Sequence, residues 1–190
     1  MQIHLIRHGK TVATEAKLYY GHTDLPLTDD GIAGIKLLAA QDIYPTADVF
    51  YTSGFTRADQ TLEIIYGNVP KIIDPRISEY NFGVFEMRSY DELKDNPDYL
   101  TWITDDSVKC PQGESRVQFY SRVIEAFADI EANAKQATTS VAAVCHGGVI
   151  ACIMNHVCPN ERNYYEWLPK PGNGYTLKYI SGFFSEYTAI

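Results

Sequence analysis

The run Val141-Ala142-Ala143-Val144-Cys145 constrains the fold of this chain more than any other stretch. It is apolar without alternation and is followed at once by His146-Gly147-Gly148. Neighbouring side chains on a strand point to opposite faces of the sheet, so a strand apolar at every position is covered on both sides. Near the start, the run 2–7, QIHLIR, ends the same way, in His8-Gly9. Further strand-like runs lie at 48–52, 71–74 and 175–180. Helical patterns fill the intervals. Thr28 and Asp29 can cap a helix to about residue 40, and Ala58, Leu62, Ile65 and Tyr66 share one face of a helix starting near Phe55. Val117, Tyr120, Ile124, Phe127 and Ala128 mark a long amphipathic helix over 114–134, and 148–157 reads as a buried helix. This alternation predicts an α/β fold, a three-layer α/β/α arrangement with a mainly parallel central sheet. The chain's 190 residues, 45% of them hydrophobic, suit one domain over 1–190 with a packed core.

The rhythm breaks between residues 81 and 113, a stretch rich in Asp, Pro and aromatic residues without a clean period. It reads as a short helix around Tyr90–Lys94 followed by an irregular, lid-like excursion.

In open α/β sheets, ligands bind beyond the carboxyl ends of the strands. After the first strand come Arg7 and His8; after 48–52 come Ser53, Gly54 and, at a helix start, Arg57; after 140–145 come His146 and Gly147; and Glu79 follows the run 71–74. A cation at a helix start opposes the helix dipole, so Arg57 calls for a functional reason. If the sheet is parallel here, one rim gathers two arginines, two histidines and a glutamate. Arginine forks bind phosphate oxygens, glycine-opened helix starts favour anions, neutral histidine can attack phosphorus, and a carboxylic acid can protonate a leaving alkoxide. The net charge of −8 means that this attraction for an anion is local to a pocket. It also speaks against a general nucleic-acid binder. No stretch is long and apolar enough for a membrane helix, no signal peptide is visible, and four cysteines without a C-x-x-C pair fit reduced thiols in a cytoplasmic compartment.

Read in order, six segments resemble the motifs of the histidine phosphatase superfamily, which includes cofactor-dependent phosphoglycerate mutase: LIRHGKT, YGHTDLPLTDDG, YTSGFTRADQT, ISEYNFGVFE, PQGES and VCHGG. The resemblance implies a phosphoglycerate mutase-like fold and a metal-independent phosphomonoesterase acting on small-molecule phosphate esters without a cofactor. It implies His8 as the nucleophile that becomes phosphohistidine, Arg7, Arg57 and His146 as holders of the phosphoryl oxygens, and Glu79 as proton donor and later base. Thr14, Gly147, His22 and Tyr20 are further substrate-binding candidates. Two positions depart from the family pattern, which often has Glu at Lys10 and a phosphate-contacting Asn at Thr14. His4 is expected to be packed or paired within its strand, and His156 to end the helix after His146.

Other chemistries lack their residues. The H-C-x-x-x-x-x-R and G-x-x-x-x-G-K-[ST] patterns and paired zinc motifs are absent. Two alternatives stay open. One is a phosphoglycerate mutase, which would need a more basic, enclosed pocket; from Glu79 to Pro111 the chain carries three cations, Arg88, Lys94 and Lys109, against eight Asp and Glu residues. The other is a non-catalytic protein that binds phosphorylated ligands. Sugar phosphates, phosphoglycerate and ribazole phosphate all remain candidate esters, with YYGHTDLPLT resembling the ribazole phosphatase branch. The loop aromatics Tyr19, Tyr20, Tyr80, Phe82, Tyr99 and Trp102 leave room for an apolar or aromatic leaving group, although each taken singly is expected to pack the core. Oligomeric state has no signature in the sequence.

Overall fold

A computed structural model describes residues 1–137 and 139–190. In chain order the elements are β1 (Gln2–Arg7), α1 (Val12–Glu15), β2 (Leu18–Tyr19), α2 (Asp29–Ala40), β3 (Val49–Thr52), α3 (Thr56–Tyr66) and β4 (Ile72–Ile73). There follow β5 (Arg88–Ser89), α4 (Tyr90–Leu93), α5 (Pro97–Thr104), α6 (Arg116–Ala137), β6 (Val141–Cys145), α7 (Gly147–Val157), β7 (Gly174–Ile180) and β8 (Phe183–Ala189).

Six strands form the central sheet in the order β4-β3-β6-β1-β7-β8. The first four run parallel, while β7 and β8 are antiparallel to their neighbours. All five residues of β6 are buried, as unalternating apolarity requires of a strand between two helical layers. The sheet's side chains divide between two clusters. Ile3, Leu5, Tyr51, Val141 and Ala143 pack with α6 and α7 residues such as Val123, Phe127 and Ile150; Ile6, Phe50, Ala142 and Val144 pack with Ala58 and Leu62 of α3. The result is the three-layer α/β/α architecture. Among the described residues, no helix is long and apolar enough to cross a membrane.

The helices begin where the caps fall. Thr28 accepts the Gly31 N–H at the start of α2, and Phe55 stands at the N-cap of α3. His4 is buried and hydrogen-bonded to Thr176 at 2.9 Å, and His156 lies in the last turn of α7, 2.9 Å from the Tyr120 hydroxyl. All four cysteines are free and buried.

Besides the short α1, β2 and β5, which the sequence reading did not name, three elements differ from it. The strand expected over 71–74 is only Ile72–Ile73, because the Asp74 carboxylate turns back to cap a 3-10 turn at Pro75–Ile77. The irregular excursion contains α5, whose start is marked by Asn96 as cap and Pro97 in the first turn. Strand β8 was not foreseen. It follows β7 through Ser181-Gly182, both at positive φ, a hairpin turn that pairs Ile180 with Phe183.

Candidate active site

Strand register brings the first residues of the site together. In the parallel pair β1–β6, Arg7 lies opposite Cys145, so His8 and His146 emerge side by side with ring centroids 5.2 Å apart. In the pair β3–β6, Thr52 lies opposite Val144, which sets Ser53 and the first turn of α3, with Arg57, on the same rim. Glu79 arrives from the irregular chain after the Pro75–Ile77 turn, and its carboxylate meets the start of α7.

His8 is 2% exposed. Its Nδ1 is 2.7 Å from the Gly9 carbonyl oxygen, which can only accept, so Nδ1 carries the proton and Nε2 keeps its lone pair. Burial, reinforced by Arg57 and Arg7, lowers the His8 pKa well below that of free imidazole. The ring is therefore neutral at pH 7, the form in which it is a nucleophile.

His146 is fixed in the opposite tautomer. The Arg57 Nε–H, which can only donate, points to Nδ1 at 3.3 Å, leaving the Nε2 proton for Ser53 Oγ at 2.8 Å. Burial first, then Arg57, His8 and Arg7, holds its pKa well below the ordinary value too. Arg57 is fully buried; it donates to the Gly21 carbonyl at 2.5 Å and the Thr23 carbonyl at 3.1 Å, and its guanidinium carbon lies 5.0 Å from the Tyr20 ring centroid. Arg7 donates to the Pro169 carbonyl at 2.7 Å, while its Nε is buried with no hydrogen-bond partner in the protein. An orphaned buried donor is costly, and a bound oxyanion would satisfy it.

The Glu79 carboxylate accepts the Tyr80 N–H and the Gly148 N–H, each at 2.8 Å. A Cβ at Gly148 would stand 2.4 Å from Glu79 Oε1, so a side chain there would push the carboxylate from its present place. At Gly147 a Cβ would come to 3.1 Å from the Arg7 guanidinium carbon. The two glycines thus make room for a cation and a carboxylate at one helix start.

Arg7, His8, Tyr20 and Glu79 line a single cavity of about 950 Å³. Arg57 and His146 stand beside His8 but not on the cavity wall. Thr14 reaches the site through Tyr20: their hydroxyls are 2.7 Å apart, and the Tyr20 hydroxyl is 3.4 Å from His8 Nε2. The structure does not bring His22 to the cavity; its ring lies edge-on to Phe55, turned there by a backbone held on Glu86. Lys10 is exposed.

Away from the cationic end, the wall is aromatic. Tyr19, Phe82, Trp102, Phe119 and Tyr165 contribute to it. The expectation of core packing holds for Tyr80, Tyr99 and Trp102, which are also in the buried cluster, yet they line the cavity as well. The charges at this end are Arg116 and Asp106, paired at 2.7 Å, with Arg116 stacked 5.0 Å over Trp102.

Sequence reasoning missed two contributors. Glu86, the last residue of ISEYNFGVFE, accepts the N–H groups of Gly21, His22, Thr23 and Phe82 and so holds the loop that carries Tyr20. Tyr164, from a 3-10 turn capped by Asn163, donates to the Gly148 carbonyl at 3.1 Å. A carboxylate amid glycine-rich loops was the available signal for the first; nothing local distinguished the second.

Comparison with known proteins gives a consistent result. The model of the histidine phosphatase superfamily (branch 1) matches residues 3–176. An adenosylcobalamin/alpha-ribazole phosphatase of Salmonella typhimurium is 32% identical over 158 residues, covering 81% of this chain and 78% of the relative. A Yersinia pestis protein named "Probable phosphoglycerate mutase GpmB" is 28% identical over 165 residues, covering 82% and 74%. The crystal structure of the alpha-ribazole phosphatase from Shigella flexneri superposes with a TM-score of 0.83 at 26% identity, over 97% of this chain and 94% of that one.

Proposed function

Starting from the fact that the chain belongs to the histidine phosphatase superfamily and is a phosphatase-type enzyme, we propose that it hydrolyses small phosphate esters by two displacements at His8. In the first, His8 Nε2 attacks phosphorus in line, the bond from phosphorus to the ester oxygen breaks, and the proton of Glu79 in its acid form passes to the departing oxygen. In the second, water attacks the phosphohistidine, Glu79 takes the water's proton, and the phosphorus–nitrogen bond breaks to release inorganic phosphate. Arg7 and Arg57 neutralise the charge on the phosphoryl oxygens, the main demand of phosphoryl transfer. His146, its Nε2–H given to Ser53 Oγ, accepts from Arg57 and holds that guanidinium in place. Tyr20, with Thr14 behind it, closes one side of this pocket. Gly147 leaves the Arg7 guanidinium its room, and His22 steadies the loop rather than touching the ester.

The observation that carries this reading is the His8 Nδ1 contact with the Gly9 carbonyl, which leaves a neutral Nε2 lone pair in a cavity that also holds Arg7 and Glu79. Quenching the enzyme with base during turnover of a phosphorus-labelled ester tests it. The label is expected on His8, stable in alkali and lost in acid; label on another residue, or none under burst conditions, overturns the assignment.

Within the superfamily, the mutase reading needs cations for a second anionic group. Among the described residues on the cavity wall, the cation beyond Arg7 is Arg116, already paired with Asp106. Arg88, Lys94 and Lys109 do not line the cavity. This supports hydrolysis of singly phosphorylated esters, with alpha-ribazole phosphate, named by the relatives, as the first ester to assay. Release of phosphate from 3-phosphoglycerate without isomer formation is the expected contrast.

A further inference from the structure

We propose that Arg122, together with Glu114, is a positioning residue for the proton donor: a brace from α6 that sets where the Glu79 carboxylate stands. This rests on the reading of Glu79 as the general acid. Glu79 lies in chain without regular secondary structure, between the 3-10 turns at Pro75–Ile77 and Gly83–Phe85. Backbone groups in such a segment still need partners, and a buried one left unpaired is costly. Arg122 supplies them. Its Nη1 donates to the carbonyls of Arg76 and Ser78, each at 2.7 Å, and its Nη2 donates to the carbonyl of Glu79 itself at 2.9 Å. The remaining donors go to Glu114, Nε at 2.9 Å and Nη2 at 2.6 Å. A guanidinium has five N–H donors, and every one is used. Glu114 then reaches past Glu79 and accepts the Asn81 N–H at 2.8 Å. The peptide groups on both sides of Glu79 are therefore pinned by Arg122 of α6 and by Glu114, two residues before that helix begins. Its carboxylate is left a single task, to bridge the Tyr80 and Gly148 N–H groups.

Neither Arg122 nor Glu114 lines the cavity, so any effect on the reaction passes through Glu79. Lysine cannot replace the fork, because one ammonium cannot span three carbonyls and a carboxylate. A brace that merely held the loop together would, when weakened, damage all substrates alike. A brace that aims the acid damages those whose leaving oxygen needs a proton. General acid catalysis is worth roughly 10²–10⁴-fold for such reactions; a nitrophenolate departs without it.

The experiment compares Arg122→Lys with wild type on an alkyl phosphate and on p-nitrophenyl phosphate, with Glu79→Gln run beside it. R122K is expected to lose about tenfold or more in kcat on the alkyl ester, within the range for a misplaced acid. It should change little on the nitrophenyl ester, keep KM on both, and keep the inhibition constant of inorganic phosphate. Equal loss on both esters, or no loss on either, overturns the brace. If E79Q itself fails to distinguish the two esters, the assignment of Glu79 as the acid falls instead. Should R122K not fold, as judged by circular dichroism and a thermal melt, Glu114→Gln carries the same comparison. It keeps an oxygen for Asn81 and leaves the three carbonyl bonds intact.

Discussion

At one end of the cavity, Arg7 and His8 leave the sheet at the end of β1, backed by Arg57 and His146 from beyond β3 and β6; at the other, aromatic side chains come from β2, α5, α6 and the segment around Tyr165. The first end is fixed by strand register and by hydrogen bonds that consume nearly every donor, down to the tautomers of His8 and His146. The second is held by ring-on-ring contacts among Tyr19, Phe82, Tyr99 and Trp102 with two hydrogen bonds, Tyr19 hydroxyl to Tyr99 hydroxyl and Trp102 Nε1–H to the Tyr80 hydroxyl, and its Asp106–Arg116 pair neutralises itself. Charge developing on a phosphoryl group needs donors already in place. A leaving group needs only shape and apolar contact, which side chains on short helices and turns provide. On the proposed mechanism, the contrast assigns turnover and selectivity to different elements, which can then be altered separately.

The sharpest way to break that separation is at His8. His8→Ala is expected to remove turnover on every ester, by about 10⁴-fold or more given what loss of a nucleophile costs elsewhere, and to abolish the trapped phosphoenzyme. The fold should survive with a modestly lower melting temperature, since the ring donates only to its own neighbour's carbonyl but is buried against Tyr20 and His146. Residual turnover above a hundredth of wild type would mean that another group attacks phosphorus. Next comes Arg57→Lys. Loss of a preorganised charge donor costs roughly 10²–10³-fold, expected here in kcat and to the same extent for small and bulky esters. A loss confined to bulky esters would erase the distinction between the two ends. The variant should also melt lower, because the carbonyls of Gly21 and Thr23 lose their donor.

The same contrast explains what could be read in advance. The floor of the site was legible because strand ends in a parallel sheet must converge, and Arg7, His8, Arg57 and His146 sit at those ends in the sequence. Glu79 follows a strand of two residues, yet its motif sufficed. The aromatic wall was legible only as a set of loop aromatics open to an apolar leaving group, each of which by itself pointed to the core. Tyr99 and Trp102 ride on α5, hidden in a stretch with no period, and in a sequence a ring that packs the core looks the same as one that lines a cavity. Tyr164 and Tyr165 come from beyond α7, where no motif pointed inward. His22 was expected at the ester because it stands next to Tyr20 in one loop, whereas Glu86 turns the backbone so that the ring meets Phe55. The His8 tautomer lock depends on the Gly9 backbone carbonyl, and the His146 lock on Arg57 and Ser53 meeting from another strand end, neither of which a local side-chain pattern encodes.

At the aromatic end the expected effects are smaller and fall on binding. Tyr165 is 71% exposed at the cavity rim, so truncating it leaves the core intact. Aromatic pairs contribute about 0.5–1.5 kcal/mol beyond burial. Tyr165→Ala should therefore raise KM roughly two- to tenfold for esters with an aromatic leaving group. The trapped phosphoenzyme and kcat on small alkyl phosphates should not change. An equal fall in kcat on a small ester would show that the rim communicates with the phosphoryl pocket.

The smallest expected effect, on stability, separates the two ends by pH. Burial lowers the pKa of His8 and His146 well below the ordinary 6.5, and brings His4, in the middle of β1, down to about 4. In the unfolded chain these imidazoles take up protons as pH falls through about 6.5; in the folded chain they do not. The unfolded state then binds more protons, so stability falls with falling pH. The contribution is complete above about pH 7.5 and is lost progressively below 6.5, before the carboxylates begin to titrate. Thermal melts at pH 7.5, 6.5 and 5.5 should step down by a few degrees in all. His146→Gln should flatten that slope even if it lowers the melting temperature throughout, while Tyr165→Ala should leave the slope as it is. A slope unchanged by H146Q would mean that the cationic end is not where the folded protein refuses its protons.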